Sequence, residues 1–359
     1  MYFTLRATGL ERELWVTNGT EDGTVRLATL GNEPGAFTEV DGSVYFPVRT
    51  GSTTRLWFSD GTQDGTRVVA TTAGNRTAEW TQIDTQLIGL HGNSLNAFTL
   101  GSDAINTIQS FRDRTHNILI TGGHLYFHSH HGDTSTLWKT DGTDTGTESF
   151  VTLDGVFWHQ TALGNKWLFT LVENDQIALW ESDGTQEGTR RLRWLGAGTP
   201  GEFVDSPFDD LAFLVLNTER YGEEVWVTDG TAAGTHVYDI NPGPSSSVSD
   251  DTEFAIWNDE LYFGARTRNT GQGLWKIDGE MPLAADFDRN GTVDFADFLA
   301  LSASFGKQGS DVSREDGDVN GDQMVDFADF LFVSTQFGST GSVPVQFSLT
   351  PKAVDEVLL

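Results

Sequence analysis

Short runs in which aromatic and β-branched residues dominate recur along the first 280 residues: VYFPVR (44–49), LYFHSH (125–130), WLFTLV (167–172) and LYFGAR (261–266). They read as strands bounded by turn residues. A further candidate strand precedes them, such as AFTEV (36–40), VFWHQ (156–160) or EFAIW (253–257). An aromatic phrase follows: ELWVTNGTEDGT (13–24), LWFSDGTQDGT (56–66), LWKTDGTDTGT (137–147), LWESDGTQEGT (179–189), VWVTDGTAAGT (225–235) and LWKIDG (274–279). After the phrase comes a short β segment such as TRVVAT (66–71) or THVYDI (235–240). Trp15, Trp57, Trp138, Trp180, Trp226 and Trp275 mark six copies, and a worn one, LNAFTLGSD (95–103), carries Phe98 in the tryptophan position. Seven copies of four short strands predict an all-β fold, a seven-bladed β-propeller over residues 1–280.

The Asp-Gly pair after each tryptophan strand predicts a tight turn, with the Asp side chain bonding backbone N–H groups two residues on. The flanking threonines can bond the turn, and the tryptophan is expected to fill space between blades. These phrases resemble the ELWxxDGTxxGT repeats of bacterial secreted and surface proteins, a resemblance that speaks to fold and hardly to activity. Copy one lacks its first strand and copy seven its last. Either the two pieces complete one mixed blade, or Met1 is not the true start and an upstream strand and export signal precede it; the second reading is favoured slightly.

Beyond residue 283 the period changes. DFDRNGTVDFADFLALSASFG (286–306) returns 32 residues later as DVNGDQMVDFADFLFVSTQFG (318–338). Each phrase opens as a twelve-residue calcium loop of EF-hand type. The first places Asp286, Asp288, Asn290, the Thr292 carbonyl, Asp294 and Asp297 at positions 1, 3, 5, 7, 9 and 12, with Gly291 at the sharp turn. The second places Asp318, Asn320, Asp322, the Met324 carbonyl, Asp326 and Asp329. Two Ca²⁺ sites are expected, the second weaker because Gln323 stands where the turn wants glycine. Val293, Phe295, Phe298, Leu299, Leu301 and Phe305 predict a helix with one apolar face, matched by Val325, Phe327, Phe330, Leu331, Val333 and Phe337, with Gly306 and Gly338 as stops. The core of this segment is small, so metal must supply much of its folding free energy.

The duplicated loop–helix pattern over residues 284–340, with Asp at position 12 and no helix entering either loop, resembles a type I dockerin. VDFADFL in particular is similar to dockerin-like tails of planctomycete secreted proteins. The resemblance implies a small α-helical calcium domain that docks to a cohesin-like partner outside or on the surface of the cell. It also implies that loop positions 10 and 11, here Phe295, Ala296, Phe327 and Ala328, help select the partner. Cellulosomal dockerins carry small hydroxyl residues there, so the departure points away from a cellulosomal receptor; burial within the module is the competing reading of the two phenylalanines. Near-identity of the halves predicts docking in two orientations related by 180°. Residues 341–359 read as a Gly/Ser linker and a short amphipathic tail.

The chain has 52 acidic and 22 basic residues, a net charge of −30, and no cysteine. Disulfide scaffolds and thiolate metal sites are excluded, and nucleic acid and anionic lipid are repelled. No apolar run approaches the roughly 20 residues of a membrane-spanning helix. No catalytic constellation can be named. His128 and His130 fall on one face of a strand, as either a metal-binding pair or, more simply, a polar blade edge. Two function classes stand: a binding platform anchored by a docking tail, and a polysaccharide-active enzyme carrying the same tail.

Overall fold

The computed structural model describes residues 1–6, 11–73, 80–91, 93–249, 251–269, 271–277, 279, 283–288, 290–309 and 312–340. The linker and tail assigned to 341–359 lie outside them. The chain packs as two compact units, 1–153 and 154–359.

The first unit holds four antiparallel sheets. They are β1 (Tyr2–Arg6), β2 (Arg12–Val16) and β3 (Val25–Thr29); β4 (Thr38–Val40), β5 (Ser43–Thr50), β6 (Thr53–Ser59) and β7 (Arg67–Ala73); β8 (Trp80–Ile83), β9 (Gln86–His91), β10 (Ser94–Thr99) and β11 (Ile105–Ser110); and β12 (Thr115–Thr121), β13 (His124–His131), β14 (Thr134–Thr140) and β15 (Glu148–Asp154). In the second unit, β16 (Val156–Leu163), β17 (Lys166–Glu173), β18 (Gln176–Ser182), β19 (Arg190–Val204), β20 (Ala212–Thr218), β21 (Gly222–Thr228) and β22 (His236–Tyr238) form one seven-stranded sheet. A three-stranded sheet follows, β23 (Phe254–Trp257), β24 (Glu260–Thr267) and β25 (Gly271–Ile277), then the helices α1 (Phe295–Ser304) and α2 (Phe327–Gln336). Every sheet runs in chain order, because two-residue turns such as Asp41-Gly42, Asn174-Asp175 and Asn258-Asp259, all at positive φ, suit the right-handed twist of hairpins.

Two features depart from simple repetition. The sheets at the two ends of the series have three strands, as the incomplete first and seventh copies predict. The fifth and sixth copies share β19, which pairs with β18 through residues 190–197 and with β20 through 198–204. The strand turns at Gly198, where a Cβ would lie 2.1 Å from the Asn217 carbonyl oxygen.

The tryptophans work in two directions. Trp15, Trp57, Trp138 and Trp180 each stack on the phenylalanine opposite them in their own sheet, Phe3, Phe46, Phe127 and Phe169, at 6.1–6.4 Å. They also join cores shared with the neighbouring sheet: Trp57 packs against the cluster that includes Leu14 and Leu27, and Trp226 belongs to the one that includes Ile177 and Leu179. Apolar burial between successive sheets is the main stabilising term. Phe98, the residue of the worn copy, is fully buried against Tyr45 and Leu56.

The DGTxxGT phrase folds into one repeated network. In the fifth copy Asp183 Oδ1 accepts from the Thr185 N–H and hydroxyl at 2.9 and 2.7 Å, Thr185 Oγ1 accepts from Gly188 N, and the Thr189 hydroxyl donates to the Thr185 carbonyl. The same bonds recur around Asn18, Asp60, Asp141 and Asp229. The second glycine is required for space: a Cβ at Gly188 would sit 2.0 Å from Asp183 Oδ1.

Two outcomes are expected. Gly188→Ala lowers the melting temperature, and the loss shrinks by more than half in an Asp183→Ala background, because the colliding carboxylate is gone; equal losses in both backgrounds, by calorimetry, contradict this account. Separately, the Glu224 carboxyl is fully buried, Oε2 taking Ser247 Oγ and Ile240 N while Oε1 has no partner. Burial pushes its pKa from 4.5 up to about 7. The folded chain therefore holds a proton that the unfolded chain releases, and stability falls as pH rises from about 4.5 through 7. Glu224→Gln is expected to gain on the order of 2 kcal/mol over wild type at pH 8 and little at pH 4.5 by denaturant titration.

Candidate metal centre

The C-terminal module is built from two loop–helix halves that complete each other. The backbone of Val293, after the first loop, exchanges hydrogen bonds with the segment after α2: Val293 N donates to Ser339 O at 3.0 Å and Gly338 N to Val293 O at 2.8 Å. Val325, after the second loop, pairs likewise with the segment after α1: Gly306 N donates to Val325 O at 2.8 Å and Val325 N to Lys307 O at 3.0 Å. Beneath these crossed pairs lies one core containing Val293, Leu301, Val319, Val325 and Val333. Neither half can satisfy this backbone alone.

Each helix begins on a capping box supplied by its loop. Asp294 Oδ1 accepts from Ala296 N at 2.7 Å and Asp326 Oδ1 from Ala328 N at 2.7 Å. The position-12 carboxylates turn back into the loops. Asp297 takes Phe287 N, Asp288 N and Asp294 N, and Asp329 takes Val319 N, Asn320 N and Asp326 N. Position 1 does the rest: Asp286 accepts from Asn290 N and Gly291 N, and Asp318 from Gly321 N, Asp322 N and Gln323 N. Asn290 Oδ1 accepts from Thr292 N, and Asp322 Oδ1 from Met324 N. The capping duty of Asp294 and Asp326, and the N–H bonds taken by positions 1 and 12, are not visible from loop spacing alone.

The electrostatics suit a cation. Carboxylate oxygens of Asp286, Asp288 and Asp297 lie within 4.8 Å of one another. In loop II an amide, Asn320, stands at the corresponding third position. Asp286, Asp297, Asp318 and Asp329 are all buried. Burial, then the neighbouring carboxylates Asp297 and Asp288, raises the pKa of Asp286. Burial also raises that of Asp329, with Asp322 adding to it. Burial pushes Asp318 up to about 6 against the opposing pull of the Arg193 guanidinium. Crowded, desolvated carboxylates surrounded by further oxygen donors fit a hard divalent cation that takes six to eight oxygens, as Ca²⁺ does.

The helical faces are only half as expected. Val293, Leu301, Val325 and Val333 point into the core, but Phe295 and Phe327 are 62% and 61% exposed, Leu299 and Leu331 52% and 50%, and Phe305 and Phe337 55% and 56%. Ala296 and Ala328 are exposed beside them. The single apolar stripe is really two faces, one for the core and one turned to solvent, so the competing reading of Phe295 and Phe327 as buried is incorrect. The helix ends match expectation, with Gly306 and Gly338 at φ 87° and 85°.

The histidine cluster differs from a polar edge. His128 is 4% exposed, its ring stacks on His116 at 5.5 Å, and burial followed by His116 and His130 lowers its pKa to about 3. It is a neutral core residue.

Sequence reading missed the arginines around the loops. Arg314, from the 3-10 turn Arg314–Asp316, donates to the carbonyls of Leu283, Ala284 and Asp286 beside loop I. Arg193 reaches loop II from β19. Only the glycine at position 4 of loop II, Gly321, hints at the latter, as a place where another group approaches.

Gln323 has φ 67°, against 85° for Gly291 at the same position of loop I. A side chain in this region costs about 1 kcal/mol. Gln323→Gly is expected to stabilise the calcium-loaded protein by about that amount, read as a raised midpoint for loss of the module's helical signal. An unchanged or lowered midpoint removes the strain argument.

No curated protein matches the chain. Solved structures with similar coordinates include a prolyl endopeptidase (10% identity, TM-score 0.49, covering 75% of this chain and 45% of that one). Others are a puromycin hydrolase (12%, 0.45, 77% and 52%) and a protein from Lactobacillus plantarum (12%, 0.47, 79% and 95%). The chain spans about half the length of the first two. The model of the dockerin type I domain matches residues 284–338, so the C-terminal loop–helix pair, though not the chain as a whole, is similar over its full length to a type I dockerin domain.

Proposed function

We propose that this chain is an extracellular or surface docking protein. In this reading the seven strand groups of residues 1–280 are blades of a propeller that serves as a binding platform. Residues 284–340 form a calcium-dependent plug for a cohesin-like receptor. Asp286, Asp288, Asn290, Asp294, Asp297 and the Thr292 carbonyl hold one Ca²⁺. Asp318, Asn320, Asp322, Asp326, Asp329 and the Met324 carbonyl hold the other. The dockerin match supports the docking role. No described helix is long and apolar enough to cross a membrane.

The observation that carries the reading is the pairing of exposed apolar side chains. Phe295 with Phe327, Leu299 with Leu331 and Phe305 with Phe337 are each at least half exposed, and to nearly equal degrees within each pair. Phe298 and Phe330 join the two helices edge to face at 5.9 Å and floor an apolar cleft of about 390 Å³. Large exposed apolar patches are unusual on surfaces that bind nothing, and aromatic anchors dominate interface energetics. Both halves offer the same anchors, so a receptor can use either one.

Binding of the full chain to immobilised cohesin domains is the test. Capture is expected in calcium and lost in EDTA. Phe295→Asp alone should weaken binding less than about tenfold, and Phe295→Asp with Phe327→Asp more than about a hundredfold. Failure to bind any cohesin in calcium, or a single substitution as damaging as the pair, overturns the proposal.

A further inference from the structure

The two calcium loops are close to identical in sequence and differ in what lies behind them. Arg193 is 4% exposed and comes from β19, a strand hydrogen-bonded on both edges. Its guanidinium enters the module from outside. Nη2 donates to the Asp318 carbonyl at 2.8 Å, and Nη1 to the carbonyls of Val319 at 3.2 Å and Ala232 at 3.0 Å. Asp318 and Val319 are loop II positions 1 and 2, so one side chain ties the start of this loop to the turn 231–234. Ala233 of that turn packs against the module's core. Nearby, Tyr221 donates to Glu315, and Arg220 pairs with Asp316 at 3.1 Å.

Loop II is shaped to receive this contact. A Cβ at Gly321, position 4, would lie 2.8 Å from Arg193 Cγ. The residue at position 4 of loop I is Arg289. It is the second half of the duplicated module that seats on this sheet. At loop I the arginine contacting the backbone is Arg314, which belongs to the module and is positioned by the module's own folding.

We infer that β19 acts as a permanent wall of the second calcium loop, with Arg193 holding the loop's backbone when the cation is absent, so that loop I is the calcium-responsive half and loop II the fixed anchor. The inference rests on the reading that both loops bind Ca²⁺. Its physical basis is the origin of the holding group. In an ordinary metal module the loop orders only with its ion. Here two charge-assisted hydrogen bonds reach the loop, and a third reaches Ala232, from a strand whose order depends on sheet pairing and on the Leu179–Leu195–Trp226 core. They bring a positive charge to a loop bearing four carboxylates, Asp318, Asp322, Asp326 and Asp329. Arg193 is thus a positioning residue for loop II.

Hydrogen exchange of the full chain, in calcium and in EDTA, tests this, with peptides from β17 and β18 as the folding control. In wild type, removing calcium should speed exchange at 286–292 by about tenfold or more and at 318–323 by less than about threefold. Arg193→Ala should abolish that difference with β17 and β18 unchanged, and Arg193→Lys should restore part of it. Equal loss of protection at both loops in wild type overturns the inference, as does a difference that survives Arg193→Ala. Should Arg193→Ala disturb β17 and β18, the wild-type and Arg193→Lys comparison still decides the matter. Calorimetry showing no calcium uptake at either loop sinks the underlying reading instead, and is told apart from the other outcomes by the missing heat.

Discussion

Everything at the C-terminus depends on four buried carboxylates. Asp286, Asp297, Asp318 and Asp329 each gather backbone N–H groups, and those bonds shape the loops and launch the helices. The same burial that makes these bonds strong makes the negative charge costly. A divalent cation of the kind type I dockerin domains bind would resolve the conflict by neutralising the charge while leaving the N–H bonds in place. The small core is shared by the two halves, which are joined by one crossed backbone pairing around Val293 and Val325.

The remainder of the chain solves stability by a different route. Within each unit sheets bury aromatic and aliphatic faces against a neighbouring sheet, and the turns at Asn18, Asp60, Asp141, Asp183 and Asp229 are locked by side-chain bonds of their own. One chain thus joins a body whose order rests on apolar packing to a module whose order rests on charge compensation, and Arg193 stands where they meet within the second unit.

What could be read from the sequence was local or periodic. The Asp–Thr bonds of the DGT turn, the helix stops at Gly306 and Gly338, and the strained Gln323 all depend on neighbours within a few residues, and each appears in the structure. The acidic loop turns before each helix were legible for the same reason, though not the capping work of Asp294 and Asp326. Two kinds of feature were not legible. The apolar positions of α1 and α2 have helical spacing, but spacing cannot say that Leu301 faces a core and Leu299 faces water. Contacts across a long stretch of chain were also invisible: Arg193 to Val319 spans 126 residues, and β19 serving two sheets is fixed by partners on either side. His128 was misplaced because an alternating strand pattern gives no hint of which face the neighbouring His116 covers.

The contrast between a two-fold symmetric outer face and a one-sided attachment has a consequence for how the halves are used. If duplication served docking alone, both loops would be free to drift together, since a receptor approaching from either orientation sees the same phenylalanines. In sequence the two loops lose that equivalence at position 4, with Gly321 in loop II and Arg289 in loop I. Seated by loop II, the module is not free to rotate on the sheet. In the proposed docking reading, two orientations become two placements of a receptor against a fixed module. Symmetry is kept on the exposed face of the helices and lost where the chain meets itself, which is the pattern expected when one surface must remain permissive and the other must fix position.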